Sequence, residues 1–477
     1  MSPLRFLRSK RAARDLFRPT ALACVVIASI APAAKAQSTP QLKIAYTLDS
    51  LPNGLHVIYH VDRSTPVAAV EVMYNVGSKS EQPGKTGFAH LFEHVMFKGS
   101  KNVADGQHWA LLEKAGGRAG ADINGTTAWD RTNYFEQVPS NQLELALWLE
   151  SDRMGTLLET LTQAKLDNQR EVVKNERRQS YDNQPYGSWL EKMLTYVYPE
   201  SHPYHHDVIG SMTDLTNASI DDVKNFFNTY YAPNNAVLVI AGDIDINEAK
   251  QLVRKHFGDI PRGPAVPPQR SMAVGAVIGK ESREVVRDQN AAAPAVYIGY
   301  RVPSARDKRG SVVDLLASVL ASGRASPLYK SLVREKQIAV GVSGFNFSLI
   351  DGADVLVFTA TGKANTNPDS LEAALVAELD NAASKINQAL LDRARTSARF
   401  QLVNSLQTTG GFGGRADALA EGYTYYRDAN HVNTILSEYD KVTVQQLKDL
   451  VAERIIPTNR VRLVYVPVPK AANPGTN

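Results

Sequence analysis

Residues Pro66–Gly99 read PVAAVEVMYNVGSKSEQPGKTGFAHLFEHVMFKG and contain signals for both the fold and the chemistry of the chain. The segment Val67–Tyr74 is rich in apolar and β-branched residues, which predicts a strand. A polar loop follows, and the residues from Thr86 to Lys98 then have the periodicity of a helix. Strand, loop and helix therefore form one structural unit.

The predicted helix carries two histidines one turn apart. His90 and His94, at positions i and i+4, lie on the same face, where two neutral imidazoles can bind one zinc ion at about 2.0–2.1 Å. Glu93 points to nearly the same side and can reach a water molecule on the metal without being a ligand. This H-x-x-E-H order is typical of inverzincins. A chance pair of histidines is disfavoured, because burying these polar groups on an apolar helix without a partner is costly.

A catalytic zinc ion usually has three protein ligands, so a third residue must come from elsewhere in the chain. The stretch Leu166–Ser180 (LDNQREVVKNERRQS) predicts a helix. Glu176 is expected to share a face with Val172 and Val173, which we expect to pack inward. Glu171 lies off that face. We therefore predict Glu176 as the third ligand, with Glu171 as the alternative.

A second stretch, Pro294–Gly323, reads PAVYIGYRVPSARDKRGSVVDLLASVLASG and repeats the order strand, polar loop, glycine and apolar helix. When Gly87 is aligned with Gly310, His90, Glu93 and His94 correspond to Val313, Leu316 and Ala317, in that order. The pattern favours an internal duplication over two unrelated domains that share a rhythm. We expect an α+β fold with two homologous domains, of which only the first binds metal.

Three boundaries follow from the pattern along the chain. Residues 1–36 have a basic start, an apolar stretch of about 15 residues and small residues before Gln37, which together predict a cleaved signal peptide. That stretch is shorter than the roughly 20 residues that span a bilayer, so no stable membrane anchor is expected. The predicted compartment is the bacterial periplasm. Residues 37–262 form the predicted zinc-bearing domain, 263–280 a Pro-rich linker, and 281–477 a degenerate second domain.

The composition excludes two classes of protein. The chain has 477 residues and one cysteine, Cys24, so a disulfide framework is impossible. The formal net charge is +4, but residues 1–36 carry +6 of it, which leaves −2 for the remainder. The basic balance therefore gives no argument for binding nucleic acid.

Four segments together resemble the pitrilysin family, and within it the shorter members related to the mitochondrial processing peptidase. These segments are HLFEH, REVVKNE, YPESHPYHHDVIG and NNAVLVIAGDI, and the resemblance extends over nearly all of residues 45–468. It implies two similar α/β-sandwich domains per chain, which form half of a clamshell around a chamber. It also implies that His90, His94 and Glu176 bind zinc, with Glu93 as the catalytic base.

The sequence departs from the family pattern at two places. The family often has a second Glu seven residues before the ligand Glu, where this chain has Gln169, which we expect to accept a hydrogen bond from an imidazole. The family also holds substrate with an Arg and a Tyr from a C-terminal-type domain. Arg334 matches the Arg, but no Tyr follows it in Ile338–Val342. The strand around Asn124 resembles the family's edge strand, so Asn124 and Arg334 are the predicted substrate-binding residues.

Two further segments are less informative. His202, His205 and His206 are close in sequence, but the proline between them prevents a regular helix, and we interpret them as part of a structural loop. The glycine-rich stretch Thr409–Gly414 (TGGFGG) is not a phosphate-binding loop, because no Lys-Ser/Thr pair follows it. We interpret it as a flexible turn between helices, with a chamber-entry loop as the alternative.

These features predict a zinc-dependent endopeptidase that hydrolyses short or unfolded polypeptides inside a closed chamber. Zinc-bound water is the expected nucleophile and Glu93 the general base, with one zinc ion per chain. The alternative is a non-catalytic scaffold subunit of the same family, which would not need a base beside three ligands. We expect a dimer with a homologous sister chain that carries an Arg/Tyr pair, and a homodimer is the alternative.

Overall fold

The structure, a computed structural model, describes residues 42–468. The predicted signal peptide, residues 1–36, lies outside the described residues. The strands are β1 (Thr47–Ser50), β2 (His56–Val61), β3 (Val67–Tyr74), β4 (Ile123–Thr127), β5 (Thr132–Pro139), β6 (Ala236–Gly242), β7 (Ser282–Asp288), β8 (Ala295–Pro303), β9 (Ala339–Phe347), β10 (Ala353–Gly362) and β11 (Arg460–Pro467).

Helices account for most of the remaining described chain. They are α1 (Phe88–Val95), α2 (Gln107–Lys114), α3 (Leu143–Thr160), α4 (Gln163–Arg177), α5 (Trp189–Val197), α6 (Met212–Asn217), α7 (Ile220–Tyr230), α8 (Ile246–Phe257), α9 (Gly310–Ala321), α10 (Pro368–Asp380), α11 (Ala382–Lys385), α12 (Gln388–Ser405), α13 (Arg415–Tyr426), α14 (His431–Lys441) and α15 (Val444–Arg454). None of the helices between residues 42 and 468 combines the length and apolar character needed to cross a membrane.

The strands form two sheets with the same internal order. The first has the order β1-β2-β6-β3-β5-β4, and the second has the order β7-β11-β8-β10-β9. In each sheet one pair is parallel, β2 with β6 and β7 with β11, and the other pairs are antiparallel. Apart from β1, the two sheets are therefore equivalent strand by strand. The predicted α+β fold with two similar domains is confirmed.

Each sheet is covered on one face by helices from its own half of the chain and on the other by a helix from the opposite half. Ala416, Leu419 and Ala420 of α13 pack against the first sheet, in a cluster with Met73 and Val239. Reciprocally, α5 packs against the second sheet through residues that are fully buried, namely Met193, Leu194 and Val197. The predicted linker, 263–280, lies between α8 and β7, where the structure has neither helix nor strand.

The exchange of helices means that neither sheet can bury both faces without the other half of the chain. Leu419→Ala is therefore expected to lower the free energy of unfolding by about 2–5 kcal/mol, because Leu419 is fully buried against the first sheet. Urea denaturation followed by circular dichroism should show one cooperative transition. The control, Val403→Ala on α12, removes a side chain that is 43% exposed and should change stability by less than about 0.5 kcal/mol. Two separate transitions in Leu419→Ala would contradict this interdependence.

Candidate metal centre

The short helix α1 places two imidazoles beside each other. Phe88, Leu91 and Val95 are buried in the core of the first half, and their packing turns the opposite side of α1 toward α4. The Nε2 atoms of His90 and His94 are 3.3 Å apart, and the ring planes are nearly perpendicular. The spacing of i and i+4 in a helix produces this convergence, as predicted.

Glu176, on α4, completes a triangle with the two imidazoles. Its Oε2 atom lies 3.6 Å from Nε2 of His90 and 3.4 Å from Nε2 of His94. A tetrahedral zinc ion with ligands at about 2.0–2.1 Å requires ligand atoms roughly 3.3–3.4 Å apart. The three side chains therefore fit a zinc ion without rearrangement.

The electrostatics of the triangle also suit a cation. Burial lowers the pKa of the His90 imidazole to about 4, so that it is neutral at pH 7, as a metal ligand must be. The neighbouring His94 lowers the pKa of the Glu176 carboxyl. Two imidazole nitrogens and a carboxylate oxygen converge on one point, where a bound cation would be stabilised by all three. The Glu176 side chain is 42% exposed, which leaves access for water and substrate.

Glu171 does not take part in the triangle. It is exposed, and its carboxylate accepts a hydrogen bond from Lys174 at 2.8 Å. The reasoning that selected Glu176 was partly wrong, however, because Val172 is 41% exposed rather than packed inward. The buried stripe of α4 follows Leu166, Gln169 and Val173. Val172 lies about 100° from Val173 around the helix axis and faces solvent.

Glu93 lies beside the triangle and is not one of its three members. A ligand atom of Glu93 lies within 4.8 Å of those of His90 and His94. The Thr127 hydroxyl, on the edge strand β4, donates to Glu93 Oε2 at 2.5 Å. Burial raises the pKa of the Glu93 carboxyl, and the hydrogen bond from Thr127 opposes that rise. A carboxylate held in this position can accept a proton from a water molecule near the triangle.

A buried carboxylate fixes the start of α1. Glu81 accepts hydrogen bonds from the backbone N–H groups of Gly87, at 2.9 Å, and Ala89, at 2.8 Å. Its negative charge lies at the positive end of the helix dipole, where it is stabilising. His206 Nε2 lies 2.9 Å from Glu81 Oε2. The sequence analysis missed Glu81, because a residue six positions before the N-cap belongs to no standard capping motif.

The other histidines of that loop have structural partners. His202 Nε2 lies 3.2 Å from Met272 O, and His205 Nδ1 lies 2.9 Å from Tyr198 O. Among the described residues the three loop histidines form no metal-binding group, which agrees with their interpretation as a structural loop.

The expected role of Gln169 is not present in the structure. Gln169 is buried on the same helix as Glu176, but its Nε2 donates to Asn168 Oδ1 at 2.6 Å. The buried Nδ1 atom of His90 has no hydrogen-bond partner within residues 42–468. The Gln169 amide is therefore hydrogen-bonded to Asn168 on its own helix and does not orient the His90 imidazole.

The two predicted substrate-binding residues lie in different halves of the chain. Asn124 is on β4, where its Oδ1 accepts from the Gly125 N–H at 2.9 Å and its Nδ2 donates to Gly120 O at 3.2 Å. Arg334 is exposed in the helical turn Tyr329–Glu335 of the second half. Between residues 42 and 468, no hydrogen bond or ion pair joins Arg334 to the triangle.

A second buried group contains potential ligands but already holds a cation. His108, Glu136 and Glu150 converge in the core of the first half. The guanidinium of Arg153 binds Glu150, with Nε donating at 3.0 Å, and lies 3.2 Å from Glu136. This group is an internal ion network rather than a metal site.

Comparisons with known proteins agree with this geometry. Residues 56–205 match the family model described as Insulinase (Peptidase family M16), and residues 217–398 match the Peptidase M16 inactive domain. The zinc protease PqqE of Helicobacter pylori is 31% identical over 417 residues, which cover 84% of this chain and 90% of that protein. The chain belongs to peptidase family M16. This family is the pitrilysin family expected from the sequence. Its relatives that are named zinc proteases imply that this chain binds zinc.

Three further proteins are similar to this chain over most of its length. An uncharacterised zinc protease of Mycobacterium leprae is 26% identical over 84% of this chain and 87% of that protein. A crystal structure of a Helicobacter pylori protease matches 89% of this chain and 100% of its own, with a TM-score of 0.81 and 28% identity. The periplasmic protease PqqL of Escherichia coli matches 89% of this chain and 48% of its own, with a TM-score of 0.72 and 19% identity.

The M16 inactive-domain match agrees with the second half of the structure. In α9 the counterparts of the two histidines and Glu93 are all buried apolar residues, namely Val313, Leu316 and Ala317. Within the described chain, the helix is thus retained in the second half without its metal-binding side chains.

The triangle predicts different effects for the two neighbouring glutamates of α4. Glu176→Gln should weaken zinc affinity more than tenfold, because second-sphere changes alone typically cost about 10–100-fold. Glu171→Gln is the matched control and should retain zinc, since its carboxylate pairs only with Lys174. Metal analysis after dialysis against a weak chelator separates the two variants. Loss of zinc from Glu171→Gln alone would contradict the assignment.

Proposed function

We propose that this M16 protein is a zinc-dependent endopeptidase in which His90, His94 and Glu176 hold the metal and Glu93 is the general base. The observation that carries the proposal is the triangle of ligand atoms, with edges of 3.3–3.6 Å, beside a buried carboxylate. A zinc ion bound there would polarise the carbonyl of the scissile peptide bond and make an attacking water molecule more acidic.

The residues around the triangle have separate tasks in this mechanism. Glu93 accepts the proton of the attacking water and delivers it to the nitrogen of the departing peptide. Thr127 holds the Glu93 carboxylate through its hydroxyl, at the edge of the first sheet. Because water is the nucleophile, no protein side chain forms a covalent bond to the substrate.

The substrate-binding element in this proposal is the edge strand β4. It is the last strand of the first sheet, and α1 packs beside it. A peptide that adds to this edge as a further strand gains main-chain hydrogen bonds with little demand on its sequence. Such binding requires an extended chain and therefore favours short or unfolded polypeptides over folded proteins.

The alternative function is a non-catalytic scaffold subunit. The inactive-domain match supports it only for residues 217–398, and the four residues of the proposed site all lie in residues 56–205. A buried Glu93 that is held beside the triangle gives no benefit to a scaffold, because burying a carboxylate is costly. We therefore favour the peptidase.

We further propose that the working enzyme is a dimer that closes as a clamshell. The match to Escherichia coli PqqL covers 48% of that chain, and this chain also matches 93% of a structure described as the first half of PqqL. A partner with the same fold would supply the opposite wall of a chamber. A sister chain with an Arg/Tyr pair is the favoured partner, because no Tyr follows Arg334 here.

The general-base assignment is tested by Glu93→Gln. Glutamine is nearly isosteric and cannot accept the proton, so peptide hydrolysis should fall by about 10²–10⁴-fold while zinc content stays unchanged. Hydrolysis of an unstructured fluorogenic peptide and metal analysis of the same sample measure both quantities. Turnover equal to that of the wild type at matched zinc content would show that another residue is the base.

The oligomer proposal is tested with the recombinant chain alone and with the same chain purified from its host by a tag. The pure chain should be weakly active, and a co-purifying homologous chain should restore activity by completing the chamber. Light scattering coupled to size-exclusion chromatography gives the stoichiometry. Full activity of a pure homodimer would eliminate the sister chain, and full activity of a monomer would eliminate the chamber.

A further inference from the structure

The open edge of the first sheet presents specific backbone groups. The N–H of Gln137 donates to Asp122 O at 2.8 Å, which marks a hydrogen-bonded pair between β5 and β4. In an antiparallel ladder such pairs alternate with non-bonded pairs. Asn124 is consequently bonded to β5, whereas Gly125 and Thr127 turn their backbone groups away from β5. A peptide strand that binds this edge must pair with these two residues.

The two faces of β4 differ in what they carry. Thr127 points to the face of α1, where its hydroxyl reaches Glu93. Thr126 points to the opposite face, where its hydroxyl binds Asn133 of β5. Successive side chains of a bound peptide strand would alternate in the same way between the face of α1 and the opposite face.

An aromatic pair lies on the opposite face of the sheet. Phe135 of β5 is directly opposite Asn124 in the register and is fully buried. The ring of Phe412 lies edge-on to it, with centroids 4.9 Å apart and an interplanar angle of 83°. Phe412 itself is 55% exposed. An exposed phenyl ring thus lies on the face of the sheet away from α1, over the strand that neighbours the edge strand.

The loop that carries Phe412 makes hydrogen bonds to the first sheet and to α13. The N–H of Gly410 donates to Gln137 Oε1 at 3.1 Å, and the N–H of Gly413 donates to Asp417 Oδ2 at 2.8 Å. A Cβ atom at Gly410 would lie 2.6 Å from Cβ of Ala69, so only glycine allows this approach. The glycines of the TGGFGG stretch therefore hold Phe412 at a defined place over the sheet.

We propose that Phe412 forms an apolar subsite for a side chain of the peptide substrate. The inference rests on the proposed peptidase function and adds a preference to it. A substrate residue opposite Asn124 would point to the face of Phe412. Asn124 lies three residues, or about 10 Å, from Thr127, so the preferred residue lies within about three positions of the scissile bond. The subsite takes aromatic or large aliphatic side chains.

The space around Phe412 is compatible with an added side chain. Phe412 is 55% exposed, so a further apolar side chain can pack against the ring. We commit to a peptide as the occupant, because Phe412 packs on Phe135, and Phe135 is the cross-strand partner of Asn124 on the open edge strand. Burying a substrate phenyl group against Phe412 removes apolar surface of both rings from water, which is favourable.

The experiment compares cleavage of a randomised peptide mixture by the wild type and Phe412→Ala, with zinc content matched and cleavage sites mapped by mass spectrometry. The wild type should prefer an aromatic or large aliphatic residue at one position near the scissile bond. Phe412→Ala should lose about tenfold or more in kcat/KM for such peptides relative to their alanine counterparts. Phe412→Leu should retain most of the preference. The matched control, Phe400→Ala, removes a phenyl that is 70% exposed on α12 and should leave the profile unchanged.

The outcomes separate the subsite from the function on which it rests. If the zinc-loaded wild type cleaves no peptide, the proposed peptidase function fails. If the wild type cleaves but Phe412→Ala keeps the same preference, the peptidase stands and the subsite is wrong. If Phe412→Ala slows all peptides equally and shifts the oligomeric state in light scattering, Phe412 belongs to a subunit interface and the subsite is again wrong.

Discussion

The convergence of three electron-pair donors across α1 and α4 is the constraint on which the site depends. The ligand atoms of His90, His94 and Glu176 approach one another to 3.3–3.6 Å, which is close to the spacing that a tetrahedral zinc ion requires. The apolar side of α1 is buried against the first sheet, and its N-terminus is fixed by Glu81. These contacts hold the two imidazoles side by side, and a cation bound between them and Glu176 would stabilise the arrangement.

The two similar halves of the chain differ in one respect that matters for the site. Within the described residues, only the first half buries polar imidazoles on an apolar helix, and only that half bears the cost of removing them from water. The second sheet repeats the strand order of the first, and α9 occupies the place of α1. In α9 the equivalent positions are Val313, Leu316 and Ala317, which are buried and need no partner. The same fold is thus compatible with a helix that carries two histidines and with a purely apolar one, so the proposed metal site depends on the side chains of α1 and α4.

The sequence was informative where a local pattern determines the structure, and less so where distant segments meet. The spacing of His90 and His94 is a property of any helix, and β3 and α4 follow directly from the apolar patterns of their residues. The assignment of Glu176 assumed that Val172 lies on the buried face of α4, which is wrong, because Val172 is exposed. Gln169 failed as a partner of the imidazole, since an amide can turn toward a neighbour such as Asn168. Glu81 and the exchange of α5 and α13 depend on contacts between distant segments, which periodicity does not reveal.

The helix exchange gives the half without metal ligands a direct part in the proposed site. α13 covers the face of the first sheet that lies opposite α1, and the loop before it sets Phe412 against Phe135. The edge strand β4 is therefore framed by both halves, with Glu93 on one side and Phe412 on the other. A peptide bound at this edge would place alternate side chains in surroundings supplied by each half. In this proposal, chemistry and selectivity would be divided between the two similar halves of the chain, so that a half without metal ligands would still contribute to substrate binding.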